Sequence, residues 1–265
     1  MLNNTQVRKT VLLTGVTSGI GRELTHLFAA DGHNLILVAR SQSKLASLEK
    51  ELREKYSDLS IHGITQDLAA PDSPWKIQAA VRSLQTSVDI LVNNAGFNVY
   101  GSLNQTSIDE QNRLIQVNAI TPTMLTKLFL PDMLAKKSGK ILFLGSTASY
   151  CPAMYSAVYC ASKAYVLSFS ESLTMELKNS GVTVTCLCPG ATQTEFANKA
   201  NLKKTRLFNT AVMNAQSVAK IGYHSLLRER PVVISGFLNN LLVKSMKFTP
   251  RCIATPVTRY LMSEQ

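Results

Sequence analysis

The sequence lacks the features of membrane-spanning, metal-binding and disulfide-stabilised proteins. Its five cysteines form no CxxC pair and its four histidines show no metal-ligand spacing, so we expect buried reduced thiols and no metal site. No apolar run approaches the roughly 18 residues of a membrane-spanning helix. The polar and then basic start precedes an apolar run at 10–13 that is too short for the core of a signal peptide. We therefore expect a cytoplasmic protein, with a location at the periphery of a membrane as the alternative.

Glycine and proline are scarce, with 13 and 9 residues in 265, which excludes collagen-like and linker-type chains. Charged residues make up 17% and apolar residues 45%, which is globular content and excludes an intrinsically disordered chain. The sequence shows no linker and no internal repeat. We expect one domain over residues 1–265, with a loop region at 190–215 and a C-terminal extension at 237–265.

Positive charge is concentrated in the last quarter of the chain. The formal net charge is +11, and from Lys199 onward eleven lysines and arginines stand against two acids, which accounts for +9 of it. The preceding part is nearly neutral. Because no helix-turn-helix, RNA-binding or zinc motif accompanies the charge, we expect no nucleic-acid partner.

Short apolar runs alternate along the chain with longer helical patterns. The runs are continuous rather than alternating, which is typical of parallel strands covered on both faces. They lie at 10–14, 34–39, 61–64, 89–92, 140–144, 182–187 and 232–234, and helical patterns lie at 19–30, 41–56, 109–136 and 158–178. This order predicts an α/β fold: a Rossmann-type, doubly wound domain with a seven-stranded parallel sheet flanked by helices.

A glycine-rich segment joins the first strand to the first helix. Gly15, Gly19 and Gly21 follow the spacing G-x3-G-x-G, and the segment also contains Thr17, Ser18 and Ile20. Glycines at this place let the backbone approach a pyrophosphate, and the helix N-terminus attracts the anion. Glycine trios also occur in ordinary turns, but the position between strand and helix predicts a dinucleotide site.

The second strand ends at Arg40, where a site for NAD would be expected to carry an acidic residue. A cation at this place suits the 2′-phosphate of NADP, although a solvated arginine at a helix start is the simpler interpretation. We expect NADP(H) to be preferred, with NAD(H) as the alternative.

A tyrosine and a lysine four residues apart share one face of a predicted helix. They are Tyr159 and Lys163, and Ser146 follows the strand at 140–144, where the ligand crevice of a parallel sheet lies. The ordinary pKa of tyrosine, about 10, is too high for proton exchange near neutrality, and a nearby ammonium group would lower it. Each residue alone has a structural explanation, but their combination with the glycine loop predicts a catalytic site.

These segments, in this order, resemble the classical short-chain dehydrogenase/reductase family from about residue 9 to residue 197. The resemblance implies further cofactor contacts: Asp67 and Leu68 at the adenine ring, Asn94, Ala95 and Gly96 beside the cofactor, and Pro189, Gly190, Thr192 and Thr194 near the nicotinamide. It assigns catalysis to Asn118, Ser146, Tyr159 and Lys163, with Tyr159 and Lys163 also in contact with the cofactor.

The activity that this resemblance implies is hydride transfer between a nicotinamide and a small-molecule carbonyl or alcohol. Tyr159 would exchange the proton, Ser146 would hold the substrate oxygen, and Lys163 would lower the pKa of Tyr159. A catalytically silent, cofactor-binding regulator is the alternative, but the presence of all four catalytic residue types argues against it. We expect a lipophilic or acyl-type substrate, its pocket lined by 150–155 and 196–208.

Two expectations concern partners. The long helices at 109–136 and 158–178 carry more apolar residues than one sheet face can cover, and the family resemblance places both in a subunit interface, so we expect a homodimer or homotetramer. The segment 237–248 predicts a helix with an apolar side and a basic side. Packing on the domain or on a neighbouring subunit is its simpler role, and contact with an anionic membrane surface or an acyl carrier is the alternative.

Overall fold

A parallel sheet of seven strands forms the centre of the protein. The computed structural model describes residues 8–195, 212–249 and 256. The strands are β1 Thr10–Thr14, β2 Asn34–Ala39, β3 Ile61–Thr65, β4 Ile90–Asn93, β5 Gly139–Leu144, β6 Val182–Cys188 and β9 Val232–Ile234. Their order in the sheet is β3-β2-β1-β4-β5-β6-β9. The predicted fold class is confirmed, and each predicted strand lies within one residue of its expected bounds.

Helices cover both faces of this sheet. They are α1 Gly19–Ala30, α2 Gln42–Lys55, α3 Ser73–Ser83, α4 Ile108–Ile115, α5 Thr121–Ala135, α6 Ala157–Glu176, α7 Ala215–Leu227 and α8 Phe237–Phe248. A π-helical turn, Gln116–Ile120, joins α4 to α5, and a 3₁₀ turn, Thr147–Ser149, follows β5. Two short strands, β7 Thr192–Gln193 and β8 Met213–Asn214, pair separately.

The alternation of side chains along each strand supplies two apolar cores. Val11 and Leu13 of β1 face α1, α2 and α7, whereas Leu12 faces the side covered by α3, α5 and α6. Phe28 is fully buried in the first core and Phe143 in the second. Because both strand faces are buried, the apolar runs are continuous in sequence.

The sheet order reverses between β1 and β4, which are neighbours and parallel. The carboxyl ends of β1, β4, β5 and β6 therefore open onto one edge of the sheet, where parallel α/β folds bind ligands. The loops that follow these strands begin at Gly15, Asn94, Gly145 and Pro189. They carry most of the predicted site residues.

The helices differ from the sequence prediction in two places. Helix α3 was not among the predicted helices. The long helix expected at 109–136 consists of α4, the π turn and α5. The loop region expected at 190–215 leads into α7, which starts at Ala215 and packs against the sheet; the part at 196–211 lies outside the described residues.

No helix within the described ranges is both long and apolar enough to cross a membrane. The four cysteines of the described chain, Cys151, Cys160, Cys186 and Cys188, are free thiols. Cys186 and Cys188 are fully buried on the same face of β6, with their Sγ atoms 3.7 Å apart.

Candidate active site

The glycine loop is a tight turn in which side chains at the glycine positions would not fit. Gly15 and Gly19 have φ angles of +69° and +55°, in the left-handed region that favours glycine. A Cβ on Gly21 would lie 2.2 Å from the carbonyl oxygen of Gly15. Ser18 is the N-cap residue of α1 but makes no side-chain cap hydrogen bond. Thr17 lies in this loop, and Ile20 packs on the core. The loop and the first amides of α1 thus form a cradle that suits a pyrophosphate.

The segment after β4 fixes the shape of this loop. The side-chain amide of Asn94 donates to the carbonyl oxygens of Thr14 and Gly15 at 2.9 and 3.0 Å. The backbone N–H groups of Asn94 and Ala95 both donate to the hydroxyl oxygen of Thr14 at 3.1 Å. Two neighbouring strand ends are therefore joined by four hydrogen bonds, which hold the backbone in position before a cofactor arrives.

Arg40 and Asp67 lie at the ends of the neighbouring strands β2 and β3. Burial raises the pKa of Asp67, but the Ala69 N–H and the Arg113 guanidinium outweigh that effect and keep the pKa below its usual value. Arg113 approaches Asp67 to 2.9 Å. Arg40 is exposed and makes no side-chain hydrogen bond or ion pair within the described ranges. Leu68 is buried and lies on the apolar core below α3.

Ser146 and Tyr159 meet through their hydroxyl groups. Ser146 starts the 3₁₀ turn after β5, and its oxygen accepts a hydrogen bond from the Ala148 N–H at 3.1 Å. Its side chain also hydrogen-bonds with the Tyr159 hydroxyl. Ser149 donates to the carbonyl oxygen of Lys163 at 2.8 Å and so joins this turn to α6.

Lys163 is buried beneath Tyr159. Its ammonium group donates to the carbonyl oxygen of Leu144 at 2.7 Å and lies 5.8 Å from the centre of the Tyr159 ring. Burial lowers the pKa of Lys163 to about 8. A Cβ on Gly96 would lie 3.4 Å from this nitrogen, so the absence of a side chain there leaves room beside it.

The expected direction of the Tyr159 pKa shift does not appear in the unliganded protein. Burial raises this pKa above its ordinary value, although the hydrogen bond with Ser146 acts in the lowering direction. The reason is that desolvation of the phenolate outweighs the favourable contacts. The phenol is therefore protonated at neutral pH, and in this state Tyr159 is a proton donor.

Asn118 lies in the π turn, and its side chain holds the segment after β4. Its Nδ2 donates to the Phe97 carbonyl at 2.9 Å and to the Ser162 hydroxyl at 3.2 Å. Its Oδ1 accepts from the Phe97 N–H at 3.0 Å. The two Phe97 bonds join α4–α5 to the loop beside Gly96, next to Lys163. A π turn inside a longer helix often marks a functional position.

The segment after β6 closes the same edge. The hydroxyl of Thr192 donates to the carbonyl of Gly190 at 2.9 Å, and Ser146 contacts the carbonyl of Pro189 at 3.5 Å. A Cβ on Gly19 would lie 2.9 Å from the methyl carbon of Thr194. The segment thus runs from Ser146 to the glycine loop, spanning the crevice that a dinucleotide would occupy.

A cavity of about 220 Å³ opens beside the start of α6. It is lined by Val99, Gly101, Ser102, Leu103, Gln111, Met154, Tyr155, Ala157 and Val158. Tyr155 has a φ of +63°, which its side chain disfavours, and its carbonyl accepts from the Gly101 N–H at 2.9 Å. The cavity is mainly apolar, and Val158 precedes Tyr159 directly.

The structure therefore brings the predicted residues to one edge of the sheet, in two groups. Arg40, Asp67 and Leu68 lie at the β2–β3 end, and Ser146, Tyr159 and Lys163 lie at the β5 end, with the glycine loop between them. Of the expected pocket lining, Met154 and Tyr155 line the cavity, while 196–208 lies outside the described residues. Sequence reasoning missed Ser149, Arg113 and the lining at 99–103; no motif marks them, because their partners are distant in sequence.

The chain is similar to known proteins over most of its length. The short chain dehydrogenase family profile matches residues 9–205. The dehydrogenase/reductase SDR family member 7B of Rattus norvegicus is 29% identical over 256 residues, covering 91% of this chain and 78% of that protein. A very-long-chain 3-oxoacyl-CoA reductase of Caenorhabditis elegans is 29% identical over 260 residues, with 92% and 81% covered. Matches to longer insect and mouse relatives cover 59% to 62% of their lengths.

A solved structure shows the same similarity in three dimensions. The short-chain dehydrogenase from Sphingobium yanoikuyae in complex with NADPH is 28% identical and superposes with a TM-score of 0.80, covering 92% of this chain and 97% of the other. The family match extends over most of the sequence. The chain therefore belongs to the short-chain dehydrogenase/reductase family and is an oxidoreductase of that family.

Proposed function

We propose that this protein transfers hydride between NADP(H) and a lipophilic or acyl-type carbonyl or alcohol. The observation that carries the proposal is the hydrogen-bonded pair of Ser146 and Tyr159 above the buried ammonium of Lys163. A cradle of glycines, into which added Cβ atoms would not fit, lies along the same sheet edge. Its fit to a dinucleotide supports a nicotinamide cofactor, which would supply the hydride when bound.

The chain's own residues supply the proton and orient the substrate. Tyr159 holds the proton that an alkoxide needs, because its phenol is protonated at neutral pH. Ser146 can donate a hydrogen bond to the substrate oxygen as negative charge develops there. Lys163 adds positive charge nearby below its pKa of about 8, and Asn118 holds the adjoining loop.

Arg40 supports the choice of NADP(H). Two cationic side chains, Arg40 and Lys44, lie near the end of β2. The ammonium group of Lys44 lies 3.5 Å from the carboxylate of Glu195. Arg40 is exposed and has no such pairing within the described part of the chain. A guanidinium group at the adenosine ribose suits a 2′-phosphate. The nearby carboxylate of Asp67 already forms an ion pair with Arg113.

The cavity at 99–103 and 154–158 supports a lipophilic substrate. Its walls are Val99, Leu103, Met154 and Val158, with Gln111 as a polar group. Two relatives, one from Podospora anserina and one from Caenorhabditis elegans, are named very-long-chain 3-oxoacyl-CoA reductases. These names describe the relatives, and they motivate including acyl thioesters in the test.

A cofactor-oxidation screen tests the proposal. We expect NADPH oxidation with bulky ketones or 3-oxoacyl thioesters and much slower turnover of acetone-sized ketones, which cannot fill an apolar cavity. The measurement is the initial rate of NADPH loss across a panel graded by acyl length. Tight NADPH binding without turnover of any member would instead favour the silent, cofactor-binding regulator.

Exposed apolar side chains support a homo-oligomer. They lie on α4, the π turn, α5 and α6. Large apolar side chains remain exposed on them, among them Ile108, Ile115, Tyr165 and Met175. Exposed apolar residues on adjacent helices are typical of subunit interfaces. We expect light scattering to report a homodimer or homotetramer, and a monomer at micromolar concentration would contradict this.

A further inference from the structure

Helix α8 presents a row of large apolar side chains to the solvent. Phe237, Leu238, Leu241 and Leu242 are 83%, 60%, 56% and 51% exposed. With 3.6 residues per turn, these four positions fall within an arc of about 140° on one side of the helix. On the opposite side Val243 is only 1% exposed. The helix is thus held by one face and leaves its more apolar face open.

The inner face of α8 contacts the active-site edge of the sheet. Asn239 donates from Nδ2 to the carbonyl of Ser235 at 2.8 Å. A Cβ on Gly190 would lie 2.4 Å from that same Nδ2, so the helix lies directly against the segment after β6. The N-cap residue Gly236 has a φ of +86°, which lets the chain turn from β9 into α8 at this edge. The exposed row therefore lies on the outside of an element that borders the crevice.

The charge of α8 limits what can cover this row. The helix contains Lys244 and Lys247 and no acidic residue, and the side chain of Lys244 is exposed. Lys244 lies about 20° from Phe237 around the helix axis, at the border of the row. Phenylalanine and leucine beside lysine are the side chains of helices that lie in the interface of an anionic bilayer.

We infer that the exposed face of α8 docks on an anionic membrane surface. The four apolar side chains enter the boundary between headgroups and acyl chains, and Lys244 meets the anionic headgroups. Because the opposite face of α8 borders the crevice, docking holds the active-site edge near the lipid, from which a lipophilic substrate can enter. An acidic carrier protein fits less well, because such partners are recognised mainly through charge pairs and most of this row is uncharged.

Co-sedimentation with vesicles tests this inference on the full chain. We expect binding to vesicles of phosphatidylglycerol and phosphatidylcholine, weaker binding to phosphatidylcholine alone, and a decrease when salt is raised, because salt screens the lysines. The double variant Leu238→Glu/Leu241→Glu should lower the partition coefficient at least about tenfold, since it removes two apolar contacts. Both leucines are exposed, so the fold should be retained, as circular dichroism and NADPH binding will show.

The control is the double variant Trp75→Glu/Leu227→Glu, which places the same two negative charges on exposed apolar positions of α3 and α7. It should bind vesicles like the parent protein. Negligible binding of the parent to both vesicle types, or equal binding of the α8 double variant, would overturn the inference. So would an α8 double variant that changes only the KM for a carrier-bound thioester, or only the oligomeric state in light scattering. Vesicle binding requires no turnover, so its failure leaves the proposed oxidoreductase activity untouched.

Discussion

Replacing Tyr159 by phenylalanine is expected to lower turnover by about 10²- to 10⁴-fold, the usual contribution of a positioned general acid. The change removes one hydroxyl group, which hydrogen-bonds with Ser146. We propose that this hydroxyl group gives the proton to the substrate oxygen. The aromatic ring stays in place beside Lys163, so NADPH affinity should change only a few-fold. Single-turnover rates of NADPH oxidation and fluorescence titration with NADPH measure the two quantities separately.

A matched control lies on the same helix. Tyr165 is exposed on α6, and its hydroxyl makes a 3.0 Å hydrogen bond with that of Thr123. Tyr165→Phe also deletes one phenolic hydroxyl, but about 1.7 helical turns from Tyr159, and it should retain near-parent turnover. Turnover of Tyr159→Phe equal to that of the Tyr165→Phe control would show that the proton comes from another group.

The sheet was predictable from the sequence because its strands are buried on both faces. Runs such as 10–14 and 34–39 show no alternation of polar and apolar residues, because their side chains point alternately into the two cores. Helix α3 was not predictable in this way. Its buried apolar face consists mainly of Ile77 and Val81, while Trp75 points outward, so its hydrophobic pattern is weak.

The positions of the site residues were predictable, but their electrostatics were not. The four-residue spacing places Tyr159 and Lys163 on one side of α6. It does not reveal that Lys163 donates to Leu144, nor that burial raises rather than lowers the pKa of Tyr159. Both effects depend on tertiary packing around the side chains. The π turn at Asn118 is likewise invisible to a pattern with a 3.6-residue period.

Helix α8 shows the same limit of prediction from sequence. Phe237, Leu238, Leu241 and Leu242 are exposed together on one side of α8, as the pattern predicts. Lys244, which the pattern places on the other side, lies about 20° from Phe237 at the border of this row. The simpler expectation was that the helix packs on the domain or on a neighbouring subunit. It does pack on the domain, but through Asn239 and Val243 and not through the apolar side. Amphipathicity alone does not decide which face is buried, because the close approach of Asn239 to Gly190 depends on the path of the chain after β9.

Replacing Arg40 by aspartate is expected to change the NADPH-to-NADH ratio of kcat/KM by about 100-fold in favour of NADH. A charge-assisted hydrogen bond from Arg40 to a 2′-phosphate is worth about 1.5–3 kcal/mol, and solvent exposure places this one near the lower end. Aspartate adds repulsion toward the phosphate and can accept from a ribose 2′-hydroxyl, which helps NADH. At about 1.4 kcal/mol per factor of ten, the combined effect is near two orders of magnitude.

The control for this change is Arg82→Asp, which introduces the same charge difference at an exposed position in the last turn of α3. It should leave the ratio within about twofold, because screening at physiological salt weakens exposed charges beyond about 8 Å. If the parent protein uses both cofactors equally, or if Arg40→Asp behaves like Arg82→Asp, then Arg40 is a solvated surface residue. The salt dependence separates a direct contact from the electrostatic field of the whole protein. Only the NADPH kcat/KM of the parent protein should fall steeply as ionic strength rises. Arg40→Asp should make that fall less steep, since it removes the cation nearest to the extra phosphate.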